Sequence, residues 1–146
     1  MKKKIVTIVI ILVFISLGLI SYYFANTPPT KSEIIETNIN ELKSEEEIEF
    51  SKITPFVWDK AFIIEDPFTD TKNINTLVGV ECNLQRLESD INRRIVFIKD
   101  GKFIYDFIYD IRKFKFNSFG TLELSNSSKI LKEFSSSKQI VLNIKP

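Results

Sequence analysis

The chain has 146 residues, 44% hydrophobic and 27% charged, with a formal net charge of +1. Once an apolar N-terminal run is set aside, that is the composition of one ordinary globular domain. Histidine is absent, which excludes Ser-His-Asp and Cys-His catalysis and every histidine-based metal centre. Cys82 is alone, so no intrachain disulfide can form and core packing must hold the fold. With no histidine or flanking base beside it, Cys82 reads as a structural thiol.

Lys2, Lys3 and Lys4 precede an uncharged run from Ile5 to Phe24. As a helix rising 1.5 Å per residue it spans roughly 30 Å, the thickness of a bilayer core. Tyr22 and Tyr23 fall at the far interface as aromatic anchors, and the lysines stay cytoplasmic by the positive-inside rule. A cleaved signal peptide is the competing reading, but the best cut, after Ala25, puts Tyr23 where a small residue is needed. The sequence therefore predicts lysines and an uncleaved anchor over 1–25, a hinge over 26–32 and an extracytoplasmic domain over 33–146. Without the three lysines, 17 basic residues face 19 acidic ones, a net charge of about −2. The basic residues are scattered; Arg112, Lys113 and Lys115, interleaved with Phe114 and Phe116, read as a strand with a solvated basic face. No nucleic-acid partner is expected.

After the hinge, Thr30 and Glu33 have capping-box spacing, and Ile35, Ile39 and Leu42 recur at helical period. This predicts an amphipathic helix ending near Glu45-Glu46-Glu47. The stretch FVWDKAFIIEDPF, from Phe56 to Phe68, holds the chain's single tryptophan. Read as a strand from Val57, it places Val57, Asp59, Ala61 and Ile63 on one side and Trp58, Lys60, Phe62 and Ile64 on the other. Both faces are largely apolar, as in a central strand. Trp58 is expected to be buried, and Asp59 to bind main chain near the strand start. Asp66-Pro67 ends the strand. Thr69 or Asp70 then caps a short helix carrying Ile74, Leu77 and Val78, closed by Gly79 in the left-handed region.

Residues 81–93 read as a long connection. RRIVFIKDGKFIYDFIYD then predicts a hairpin turning at Asp100-Gly101, with Ile98 opposite Phe103, Val96 opposite Tyr105 and Arg94 opposite Phe107, partners slipping by one if Gly101 forms a bulge. Phe103, Tyr105, Phe107 and Tyr109 would share one face, to be core or interface. Asp106 would lie on the solvent side, interrupting an aggregation-prone apolar segment. The tail predicts strands over 113–116, 121–124 and 139–145, and a short helix near Lys129 to Phe134 capped from Ser125 to Ser127. The sum is an α+β domain with a mostly antiparallel sheet of about five strands and two to three short helices.

The order WDKAFIIEDPF, a short helix ending in glycine, then IVFIKDGKFIYDFIY resembles a group of small uncharacterised secreted or membrane-anchored bacterial proteins. These carry a Trp-Asp, apolar-run, Pro-aromatic signature followed by a V-F-x-K-D-G-K hairpin. The likeness covers roughly residues 48–145 and implies that Trp58, Asp59, Pro67, Asp100 and Gly101 are shared positions. It brings no activity, cofactor or ligand with it. Phe68 stands where such proteins often carry tyrosine.

Acid–base work would draw on Asp59, Glu65, Asp66, Asp106 or Asp110, but nothing in their spacing brings two together. There is no glycine-rich phosphate cradle and no calcium-loop spacing. The expectation is a single-pass protein of a bacterial cell membrane, without cofactor or metal, whose outer domain is a non-enzymatic module that binds another envelope protein, as an immunity-type factor or an assembly accessory. Its candidate structural or interface residues are Trp58, Asp59, Pro67, Asp100, Gly101, Phe103, Tyr105, Phe107 and Tyr109. The alternatives are an envelope hydrolase using Asp and Glu, a small-ligand or wall-glycan sensor with a pocket floored by Trp58, and, for location, secretion after signal cleavage.

Overall fold

The computed structural model describes residues 12–22 and 27–145. The chain divides into two compact units, Met1–Thr30 and Lys31–Pro146. In the first, residues 12–22 form a helix (α1); the rest of the predicted anchor lies outside the described residues. Among the described residues no helix is long and apolar enough to cross a membrane.

The second unit is α+β. Its elements are α2 (Lys31–Glu41), β1 (Glu47–Glu49), a 3-10 turn (Phe50–Ile53), β2 (Lys60–Ile64), α3 (Thr71–Val78), β3 (Asn92–Lys99), β4 (Lys102–Asp110), β5 (Phe114–Phe116), β6 (Thr121–Ser125), β7 (Lys129–Phe134) and β8 (Ile140–Lys145). The strands make two four-stranded sheets, ordered β1-β7-β8-β5 and β4-β3-β2-β6, not the single sheet of about five strands expected. Every pairing is antiparallel except β5 with β8.

The apolar run after Trp58 becomes a central strand because it is buried on both sides. Ala61 and Ile63 join Ile95, Phe97 and Phe107 in a core shared with Phe114, Phe116, Ile130 and Leu142 of the other sheet and Ile35 and Ile39 of α2. Phe62 and Ile64 join Val96 and Ile98 in a second core beneath Ile74 and Val78 of α3. Helix α3 has the caps that its sequence announces. Asp70 accepts the Asn73 N–H at 2.9 Å, and Gly79, at φ 75°, closes the last turn by donating to Asn75 O. Leu77 faces outward instead of inward.

Four expectations are corrected. The strand begins at Lys60, not Val57, so Trp58 precedes it and packs on the Ala61 and Ile63 side, while Val57 is exposed. The hairpin turns at Asp100 (φ 50°) and Gly101 (φ 68°) and pairs Ile98 with Phe103. Beyond that pair a bulge at Ile104 shifts the register, so Phe97 faces Tyr105, Val96 faces Asp106 and Arg94 faces Ile108. One extra residue moves side chains to the opposite face: Tyr105, Phe107 and Tyr109 meet the first core, and Phe103 meets the second.

Residues Lys129–Phe134 are strand, not helix. Alternation sends Ile130 and Lys132 inward, and the buried Lys132 ammonium donates to Ile39 O (3.1 Å), Asn40 O (2.7 Å) and Leu42 O (2.7 Å). These oxygens lie at the C-terminal end of α2, where a helix leaves carbonyls unpaired and favours a cation. The helix accordingly ends at Glu41 and not at the glutamate cluster.

Candidate functional site

The aromatic residues singled out in the sequence are structural in their placement. Trp58 is 1% exposed, packed edge-on against Phe50 (ring centroids 5.7 Å) and Phe97 (5.4 Å), and its indole N–H donates to Thr54 Oγ1 at 2.9 Å. At that exposure it is a core side chain. Phe107 and Tyr109 are buried and stacked near Phe114. Tyr105 is half-buried, with its hydroxyl 2.8 Å from Ser32 Oγ and, with Phe56, its ring beneath the Lys31 ammonium. Pro67 is buried and its carbonyl accepts the Leu87 N–H. Asp59 binds main chain, but at the distant hairpin turn: its Oδ2 accepts the Asp100 N–H at 2.7 Å.

The five acids weighed for acid–base chemistry have separate partners. Asp59 is at the hairpin turn, Asp66 accepts the Phe68 N–H in its own turn, and Asp110 binds Arg112. The remaining two lie on opposite faces of the β4-β3-β2-β6 sheet, because Arg93 and Arg94 are adjacent in β3 and point opposite ways. Arg93 Nε meets Glu65 Oε2 at 3.4 Å. Arg94 meets Asp106 Oδ2 at 3.6 Å and donates to Gln85 O at 2.8 Å.

Asp106 therefore does not face solvent as the alternation predicted; its side chain is only 15% exposed. The bulge places it opposite Val96, over the second core. Burial raises its pKa, against the attraction of Arg94. Burial, followed by the charge of Asp106, also raises the pKa of the Cys82 thiol, which suits an inert packing residue.

The Glu65–Arg93 pair opens to the surface. With Ile111, Lys115, Phe116, Asn117, Ser118 and Phe119 it lines a cleft of about 280 Å³. Ser118 Oγ donates to Glu65 Oε1 at 2.9 Å, and Arg93 Nη1 donates to Asp90 O and Asn92 O, so the pair is held in place from both sides. Behind it lies Tyr109, 1% exposed, with its hydroxyl buried near the Glu65 carboxylate. Burial and the nearby Glu65 carboxylate push its ionisation far above the ordinary phenol range. The phenol thus stays neutral and keeps its proton to donate. At the rim the Phe119 side chain is 98% exposed. A wider depression of about 540 Å³, lined by Thr71, Lys72, Asn75, Thr76, Gly79, Val80 and Glu81, lies along α3.

The cleft offers an apolar surface, a fixed ion pair and, at Lys115, an ammonium with no ion-pair partner among the described residues. That set can bind and orient a partner, and its one hydroxyl–carboxylate contact is Ser118 Oγ on Glu65. Among the described residues no group of three or more acids or cysteines is placed to hold a metal ion. Sequence reading missed the site because Glu65, Arg93 and the loop carrying Ser118 and Phe119 are far apart in the chain and form no local motif. The one available signal was an aromatic, Phe119, between Ser118 and Gly120 in a turn.

No protein-family model matches the chain, and comparison with curated proteins and with solved structures found no match. The likeness carried by the Trp-Asp and Lys-Asp-Gly-Lys motifs accordingly remains a resemblance.

Proposed function

We propose that the protein is a non-enzymatic binding module, held at a bacterial cell membrane by its N-terminal helix, that presents the Glu65–Arg93–Phe119 cleft to another envelope protein. The observation that carries this reading is Phe119. A phenylalanine 98% exposed beside a cleft with partly buried polar groups has the anatomy of an interface anchor, an aromatic side chain with a place to be buried and a polar surround. The anchor is supported by the uncharged run from Ile5 to Phe24 behind three lysines and by α1, in which Leu12, Phe14, Leu17 and Leu19 are all more than half exposed. A helix apolar on every side suits lipid.

The test is crosslinking of the full chain in intact membranes, combined with protease added from outside. The expected results are a discrete crosslinked protein, lost when Phe119 is replaced by alanine, and removal of the domain by external protease. A mature chain beginning near Asn26 and free in the medium would replace the anchor with secretion.

A further inference from the structure

The β4-β3-β2-β6 sheet ends in β6, which pairs with β2 on one side only. Thr121, Glu123 and Ser125 are exposed along it, while Leu122 and Leu124 turn to the first core, Leu122 only partly buried there.

Main-chain direction along β6 follows from one bond. The Glu65 N–H donates to Gly120 O at 3.4 Å, and the β2–β6 register puts these two residues opposite each other. Opposite residues of an antiparallel pair alternate between exchanging both main-chain bonds and exchanging none. Leu122 and Leu124 therefore turn their peptide groups to β2, and Thr121 and Glu123 turn theirs outward. Among the described residues no other hydrogen bond reaches the main chain of Thr121 or Glu123. Ser125 has used its own groups: its N–H donates to Ser128 Oγ at 3.0 Å and its C=O accepts the Ser128 N–H at 3.0 Å. The open edge is thus the short stretch from Thr121 to Glu123.

An exposed edge is ordinarily guarded by a charge that repels a second edge. The charged residue of β6 is Glu123, and the Lys60 ammonium of β2 lies 2.6 Å from its carboxylate. That guard is neutralised within the chain.

We infer that β6 pairs antiparallel with β6 of a second copy of this chain, about a two-fold axis at Leu122. Thr121 then faces the partner's Glu123 and exchanges both main-chain bonds with it, on each side of the axis. Leu122 faces its own copy in the pair between, and the two side chains extend the first core across the seam. The flanks fix this register. An axis at Glu123 would oppose two glutamates and call on the used groups of Ser125, and an axis at Thr121 would need extended chain at Gly120, which stands at φ 74°. Phe119 lies beyond that glycine and takes no part, so the inference goes beyond the cleft reading. A five-residue strand buries less than the roughly 1,200 Å² of a stable complex. The pairing therefore draws on the concentration of chains held in one membrane, and in this it rests on the anchor reading.

The experiment uses the full chain in intact cells, with Cys82→Ala so that one introduced thiol is the only one. Opposite residues that exchange no main-chain bonds lie about 4.5 Å apart at Cα, within reach of a disulfide. Mild oxidation of Leu122→Cys is expected to give at least ten times more disulfide-linked dimer than Thr121→Cys or Glu123→Cys, whose own copies are displaced along the strand. Adding Glu123→Pro to Leu122→Cys removes an outward N–H and leaves the ladder to β2 intact. Adding Glu123→Lys instead makes both edges positive. Each is expected to lower the dimer at least tenfold, while the emission of Trp58 shows that the fold is kept. No dimer from Leu122→Cys, equal yields at the three positions, or a dimer that survives Glu123→Pro overturns the inference. A disulfide from position 122 to a different protein overturns the assignment to a second copy. Phe119→Ala keeps the dimer and abolishes capture of the other envelope protein, so the two readings fail on different variants. Recovery of the chain from the medium overturns the anchor reading, and the Leu122→Cys yield decides the pairing in either fraction.

Discussion

The carboxylate of Asp59 accepts the main-chain N–H of Asp100 at 2.7 Å, joining the Trp-Asp pair ahead of β2 to the Asp-Gly turn of the hairpin 41 residues later. Lys99 adds a contact at 3.4 Å. The Asp100 N–H, and after it Lys99, favour the ionised acid and hold its pKa below the ordinary carboxylate value. A depressed folded-state pKa contributes stability above the unfolded value, and that contribution is lost as pH falls through the folded one. Asp59→Asn is expected to lower Tm at pH 7, with the difference from wild type shrinking below about pH 4, and to speed hydrogen exchange at the Asp100 amide. A variant with wild-type exchange at Asp100 would mean that the contact does not hold the turn.

Trp58 links the same corner to the core. Its ring lies between Phe50 and Phe97 and its N–H is spent on Thr54. Trp58→Ala removes a buried indole and leaves a cavity, at a cost of about 3 to 5 kcal/mol, a large part of a small domain's stability. As the chain's single tryptophan it also reports the transition. Native emission should be that of a buried indole and shift red at the urea midpoint. Unchanged stability with lost partner capture would instead assign Trp58 to the interface.

The hairpin turn and the ends of α3 were legible because their signals are local. An Asp-Gly turn, an Asp cap and a glycine closing α3 each depend on a few neighbouring φ angles, and sequence carries those directly. The bulge at Ile104 was not legible, since isoleucine between Phe103 and Tyr105 reads the same whether paired or inserted. Its consequence was large, because it parted Phe103 from Tyr105, Phe107 and Tyr109 and put it on the same face as Asp106. The strand at Lys129–Phe134 was misread for a related reason. Lys132 occupies an inward position, so hydrophobic alternation was broken by a residue whose function is to meet the end of a helix about 90 positions earlier. The cleft depends on such a distant meeting: Ser118 reaches Glu65 across 53 positions, and nothing in the Trp-Asp stretch that holds Glu65 announces that partner.

Lys132 gives a direct test of that long-range pairing. Lys132→Met keeps the apolar stem but takes the ammonium from three carbonyl oxygens of α2 and the residue after it. Hydrogen bonds to a charged group contribute more than neutral ones, and buried carbonyls left without donors bear a desolvation cost. The expected loss is about 3 kcal/mol, read as a lower urea midpoint with unchanged m-value. The amide protons in the last turn of α2 should exchange faster than those in α3. Equal acceleration in both helices would show a general loss of stability and no specific capping role.

Arg94 and Asp106 put the opposite sign on pH. Both are largely buried, and Arg94 Nη1 and Asp106 Oδ1 lack hydrogen-bond partners. Asp106→Ala leaves the arginine charge enclosed with only Gln85 O to receive it. Removing one member of a buried pair costs about 3 to 5 kcal/mol, whereas replacing both by apolar residues is often neutral. The double variant Arg94→Met with Asp106→Leu should therefore recover most of what Asp106→Ala loses. The raised pKa of Asp106, caused first by burial, adds a second signature. An acid whose folded-state pKa is raised contributes stability below its unfolded value and loses that contribution as pH rises through the folded one. Compared with Asp106→Asn, wild type should gain Tm as pH falls from 7 toward 4, the reverse of the trend at Asp59. A wild-type advantage that grows toward pH 7 instead would mean that Arg94 outweighs burial and that the pair acts as a stabilising ion pair.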